Sequence, residues 1–176
     1  MDLDQVDDEF GALDEPRRPA SGVLDQQRIQ DPIRLLAPRA ALHVSPGDPL
    51  SEAVRLMREH HVGCVLAVED GRLAGILTER DLLLKLEDAD LSRPVRDLMT
   101  PRPEVLHPDD PVIYALHRMA VGGYRHVPLV DHSGAPVGIL SVKDIVHYVV
   151  SFFMSDVLTL PPDPPRGQTW RGRDGA

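Results

Sequence analysis

A hydroxyl residue stands three positions before an aspartate twice in this chain: Thr78 before Asp81 in GILTERDLL (75–83), and Ser141 before Asp144 in GILSVKDIV (138–146). At the start of a helix this spacing supports two kinds of chemistry. In the first, the hydroxyl accepts from a backbone N–H of the first turn and the acid reaches back to the N–H of the hydroxyl residue, closing a capping box. In the second, free N–H groups at the helix start attract an anion such as phosphate, and the carboxylate accepts from the paired hydroxyls of a ribose. Arg80 and Lys143 directly precede the two aspartates. Each is either a long cation able to cover that anion or a solvated first-turn charge opposed by the helix dipole. The spacing alone leaves both readings open.

Positioning such a motif twice requires a repeated scaffold, and the sequence contains one. Pro46, Asp48, Pro49, Ala53 and Met57 recur 62 positions later as Pro108, Asp110, Pro111, Ala115 and Met119. After one inserted residue near the Asp-Gly and His-Ser-Gly turns, Gly71, Gly75, Thr78 and Asp81 recur 63 positions later as Gly134, Gly138, Ser141 and Asp144. Two copies of one supersecondary unit follow. Asp48 and Asp110 read as N-caps, with Pro49 and Pro111 at the first helical position. Leu50, Ala53, Val54 and Met57 form one helical stripe, as do Val112, Ala115, Leu116 and Met119. The runs CVLAV and HVPLV, then RLAGIL and APVGIL, read as paired strands that lead into a second helix. Each repeat is expected to run strand, helix, strand, strand, helix.

Composition narrows the function classes. The 176 residues are 42% hydrophobic, enough for one compact domain or two small repeats. A net charge of -9 repels nucleic acid and anionic lipid, so neither is expected as a partner. The acidic N-terminus does not resemble a signal peptide and no apolar run reaches a membrane span, which points to a cytoplasmic protein. The single cysteine, Cys64, lies in an apolar run and reads as a buried, inert thiol. His60 and His61 are neighbours that point apart on a helix, so no metal is expected there. Residues 1–31 read as an acidic disordered tail and 159–176 as a tail rich in Pro, Gly and Arg, in which Trp170 could mark a docking peptide. Between them lie repeat one, 32–94, and repeat two, 95–158.

The paired G-[IVL]-[LV]-[ST]-x-x-D segments, the connecting Val95-Arg96-Asp97-Leu98-Met99-Thr100-Pro101, and Arg125-His126-Val127-Pro128-Leu129-Val130-Asp131 together resemble a tandem of cystathionine-β-synthase (CBS) domains, often called a Bateman module. The resemblance covers roughly residues 32 to 150. It implies an α/β (α+β) fold of two β-α-β-β-α repeats about a pseudo-twofold axis, with two clefts that in many members bind AMP, ADP, ATP or S-adenosylmethionine. Carried over by position, one cleft would use Ile139, Ser141 and Asp144 of repeat two facing Leu42, Val62 and Gly63. The other would use Ile76, Thr78 and Asp81 facing Val105, Tyr124 and Arg125. Arg125 and His126 resemble the family's phosphate-meeting basic residues. Repeat one has Gly63 and Cys64 at those positions, so the clefts are expected to differ. On this basis the Asp144 site, whose repeat carries Arg125 and His126, is expected to bind more tightly than the Asp81 site.

No nucleophile elbow, P-loop or other catalytic set is present, so an enzyme is not expected. The resemblance implies a regulatory protein that senses an adenosine-containing ligand and acts on a separate, unidentified partner. The alternative is a ligand-free dimerisation or scaffold module whose motif is only a cap. In the segment DIVHYVVSFFM, Ile145, Val146, Tyr148, Val149, Val150, Phe152, Phe153 and Met154 leave almost no polar face, which calls for cover on more than one side and suggests a homodimer.

Overall fold

The computed structural model describes residues 28–152 except 87 and 89. Both tails outside that range, with Trp170, Phe153 and Met154, therefore lie outside the described residues. Up to Val149 the described residues belong to one compact unit.

Repeat one comprises β1 (His43–Val44), α1 (Leu50–Glu59), β2 (Cys64–Glu69), β3 (Arg72–Thr78) and α2 (Glu79–Lys85). A short strand, β4 (Thr100–Pro101), follows in the connection. Repeat two comprises α3 (Val112–Gly122), β5 (His126–Val130), β6 (Pro136–Ser141) and α4 (Val142–Ser151). The first strand expected of repeat two is reduced to a single parallel bridge, Leu106 with Leu129. Strands β1 to β4 make one sheet in sequence order, with β1 parallel to β2 and the other pairs antiparallel, and β5 pairs with β6 in a second. Both hairpins turn where the sequence places Gly: Asp70 and Gly71 have φ of 49° and 74°, and Gly134 has φ of 84°.

The cap expectation at α1 and α3 requires correction. Pro49 and Pro111 occupy the N-cap positions, and neither aspartate caps the helix. Asp48 and Asp110 instead close the preceding turns, accepting from the Ser45 and His107 N–H groups at 2.7 Å. A proline has no side-chain acceptor, so backbone carbonyls serve the exposed helix ends. Leu50 N–H donates to Arg93 C=O and Val112 N–H to Asp31 C=O, at 2.8 and 2.9 Å.

Those two bonds belong to a symmetric exchange. Ile33 N–H donates to Asp110 C=O, and 62 residues on Val95 N–H donates to Asp48 C=O. Ile33, fully buried, packs in the second repeat's core with Leu106, Val112, Ala115, Val127, Leu129, Leu140 and Ile145. Val95 and Leu98 pack in the first repeat's core with Leu50, Ala53, Met57, Val65 and Leu77. The segment leading into each repeat thus packs on the other, each buried Ile, Val or Leu contributing roughly 1.5–3 kcal/mol. The sequence division at 32 and 95 follows self-similarity, while the packing crosses it.

The repeated glycines of G-I-L mark where the crossing segments pass. A Cβ on Gly75 would sit 2.6 Å from Met99 Sδ and 3.0 Å from Thr100 O; one on Gly138 would sit 3.1 Å from Arg39 O. Between the hairpins, Cys64, Leu66, Ile76 and Ile139 form a third apolar cluster that fixes one repeat on the other.

Candidate functional site

Both hydroxyl-aspartate pairs close as capping boxes. Asp81 Oδ2 accepts from Thr78 N–H at 3.0 Å and from its hydroxyl at 2.6 Å, while the Asp81 N–H reaches Thr78 Oγ1 at 3.2 Å. In repeat two, Asp144 Oδ2 accepts from Ser141 N–H and Oγ, both at 2.7 Å, and Asp144 N–H reaches Ser141 Oγ at 3.3 Å. Each box uses one carboxylate oxygen and leaves Oδ1 for other work. Asp81 Oδ1 is held by Lys85 Nζ at 2.6 Å, with Thr100 Oγ1 at 3.5 Å. Among the described residues, nothing hydrogen-bonds Asp144 Oδ1. Burial alone would raise the Asp81 carboxyl, but the Lys85 ammonium and the Thr78 hydroxyl and N–H outweigh it and hold the group below its ordinary range.

Around Asp81 opens a cleft of about 320 Å³. On one side it is lined by Ile76, Thr78, Arg80 and Asp81, and on the other by Tyr124, Arg125 and His126. Thr100, Arg102, Pro103 and Glu104 supply the wall between. Three guanidinium groups thus share the lining with two carboxylates, Asp81 and Glu104, and Glu104 is paired with Arg118 at 2.6 Å. His126 is half-buried; burial first, then the Arg125 charge, lowers its pKa, against the pull of Glu79 and Asp144. Tyr124 is 44% exposed, so its ring face is available to a planar base. Gly122 permits this placement, since a Cβ there would overlap the ring.

The cleft lining holds Ile76, Thr78, Asp81, Tyr124 and Arg125, with Arg80 and His126 beside them. Val105, half-buried and one residue past Glu104, is not among its lining residues. The basis for ranking the Asp144 site first is corrected: Arg125 and His126 share a repeat with Asp144, but they line the cleft that contains Asp81. At the 62-residue offset, Glu104, Tyr124, Arg125 and His126 correspond to Leu42, Val62, Gly63 and Cys64, none of which carries a charge to match. Ile139 belongs to the apolar cluster between the hairpins, Leu42 and Val62 pack against the first repeat's core, and Lys143 is exposed. Gly63 C=O accepts from Glu79 N–H at 3.0 Å, and burial pushes the Cys64 thiol up to about 12.

Sequence reasoning missed Thr100, Arg102, Pro103, Glu104 and Lys85. The repeat comparison could not find the first four, because their counterparts Pro38, Ala40, Ala41 and Leu42 carry no comparable polar chemistry. Lys85 left a signal, an i,i+4 acid-to-lysine spacing from Asp81.

With this geometry in view, comparison with known proteins settles the family: the CBS domain model matches residues 36–88 and 95–151, and the chain belongs to the CBS domain family. It is similar to the CBS domain-containing protein CBSCBSPB3 of Arabidopsis thaliana, 33% identical over 111 residues, 61% of this chain and 20% of that protein. The chain thus spans about a fifth of that relative's length. Among solved structures it resembles the CBS-domain containing protein ATU1752 from Agrobacterium tumefaciens, at 28% identity and a TM-score of 0.63, covering 72% of this chain and 99% of that one. It also resembles the cytosolic domain of the Mg2+ channel MgtE in complex with ATP, at 27% identity and a TM-score of 0.53, covering 61% of this chain and 44% of that one. No helix among the described residues is long and apolar enough to cross a membrane.

Proposed function

We propose that this protein is a non-enzymatic regulatory module that binds a phosphorylated adenosine in the Asp81 cleft and transmits its occupancy to a separate protein. The observation that carries the reading is the juxtaposition of a carboxylate, a half-exposed tyrosine and Arg80, Arg102, Arg125 and His126 around one opening. The carboxylate suits a ribose diol, the ring suits a base, and the cations suit phosphate oxygens, for which guanidinium groups are the better-matched donors. The ATP complex of the MgtE domain supports the choice of ligand. S-adenosylmethionine, whose sulfonium is cationic, suits a cleft lined by three arginines less well. The Asp144 side, where no described residue hydrogen-bonds Oδ1 and where Val62, Gly63 and Cys64 replace Tyr124, Arg125 and His126, would hold an adenosine group with less demand for phosphate.

The module acts as a homodimer in this reading. Leu83 and Leu84 of α2 are 85% and 77% exposed, and Val142 and Val146 of α4 are 41% and 52% exposed. A second copy placed against these helices would cover all four.

One observation favours a second reading. Both capping boxes are complete without a ligand, which is what a scaffold whose motif serves only the helix ends requires. Thermal unfolding of the full chain with ATP, ADP, AMP, adenosine and S-adenosylmethionine separates the two. A ligand at 100 times its dissociation constant adds about 2.7 kcal/mol. The sensor reading expects the phosphorylated adenosines to raise the midpoint and S-adenosylmethionine to do so least; no shift with any of them selects the scaffold.

A further inference from the structure

We propose that Lys85 is a latch on the Asp81 carboxylate, which must release it before a ribose can be held there. The inference rests on the reading of this cleft as an adenosine-ligand site. Asp81 Oδ2 is already saturated by the cap, taking both the N–H and the hydroxyl of Thr78. Only Oδ1 remains for a diol. The Lys85 ammonium lies 2.6 Å from it and also donates to the Leu98 carbonyl at 2.9 Å, so it is fixed at two points on the crossing segment and the carboxylate. Thr100 Oγ1 reaches the same oxygen more loosely, at 3.5 Å.

Among its described residues, repeat two carries no such latch. The residue four positions after Asp144 is Tyr148, whose hydroxyl donates to Asp31 Oδ2 at 2.6 Å, and Asp144 Oδ1 accepts from no described residue. The residue type at 85 also fits a contact made to be broken. Lys85 and Lys143 are the two lysines of the chain among its 19 Lys and Arg residues. A guanidinium would grip a carboxylate bidentately, whereas a lysine offers a compact charge on a flexible stem. With 44% of its side chain exposed, Lys85 has open solvent into which to swing. Its withdrawal exposes a carboxylate oxygen that the cap keeps oriented toward the cleft.

Calorimetric titration of wild type and Lys85→Met with adenosine and with ATP tests the latch, adenosine reading the carboxylate without phosphate. The expected result is that Lys85→Met binds adenosine about two- to fivefold more tightly, the scale of a partly exposed ion pair no longer competing. Lys85→Gln keeps a donor for the Leu98 carbonyl and should show the same direction if the methionine variant fails to fold. Adenosine affinity unchanged or weakened in the folded variants overturns the latch, and does so while leaving the ligand reading intact if wild type binds ATP. Binding by a variant where wild type shows none supports it. Failure of both ligands to bind any of the proteins overturns the ligand reading and the latch with it.

Discussion

Asp81 divides its two oxygens between folding and recognition, and the residues around it differ in which task they serve. Arg125 and Tyr124 are exposed and belong to neither core, so their removal should cost affinity and not stability. Arg125→Ala is expected to weaken ATP binding by about 1.5–3 kcal/mol, the scale of a hydrogen bond to a charged group, with an unchanged unfolding midpoint; calorimetry and thermal melts measure the two. His126 gives the site a pH dependence. Its proton is disfavoured in the free protein by burial and by Arg125, and a bound phosphate would restore it. ATP affinity should therefore rise as pH falls below neutral, and His126→Asn should flatten that rise relative to wild type in parallel titrations. Asp81 acts in the opposite sense on folding. Its folded pKa is depressed, so its contribution is complete above the unfolded value of 3.8 and disappears as pH falls through the folded value. Asp81→Asn should leave a smaller acid-induced loss of stability than wild type, measured by urea unfolding across that window.

At the scale of elements, the helices and hairpins were legible because their signals are local. Asp70-Gly71 and Gly134 announce turns through the backbone conformations they permit, and the 3.6-residue stripe of Leu50, Ala53 and Met57 places three buried residues on α1. The capping boxes were legible for the same reason. The long-range exchange was not. Ile33 and Val95 look like linker residues, and nothing near them in sequence says that each enters the other repeat's core. The same gap affected the ranking of the two sites: it tied Arg125 and His126 to Asp144 because they share a repeat, while both line the cleft that holds Asp81. Asp48 and Asp110 misled differently, since an acid before a proline serves equally well to close the preceding turn. The crossing makes a testable demand on Gly75. Gly75→Ala pushes a methyl into Met99 and the Thr100 carbonyl, and should destabilise by roughly 1–3 kcal/mol, read from the urea midpoint, because backbone is one of the two neighbours that must yield. Gly71→Ala, with open space around it, should cost only what its positive φ imposes, on the order of 1 kcal/mol.

At the scale of the whole molecule, the two repeats share a fold and differ in chemistry. One cleft gathers cations around a carboxylate that a lysine already holds; at its counterpart, no described residue hydrogen-bonds Asp144 Oδ1. The exposed leucines of α2 and valines of α4 offer a second copy two helical faces. Leu83→Glu with Leu84→Glu should convert a dimer to a monomer in sedimentation velocity at micromolar concentration, and a monomeric wild type would remove the dimer from the account. The central claim is narrower: a phosphorylated adenosine sits in the cleft between Asp81 and Arg125. The most direct test is an amide NMR titration of the full-length chain with ATP. The account predicts saturable shifts at Thr78, Asp81, Thr100, Tyr124, Arg125 and His126, larger than those at Ser141 and Asp144. Saturation with no change at the first group, or with changes confined to residues outside the cleft, would contradict it.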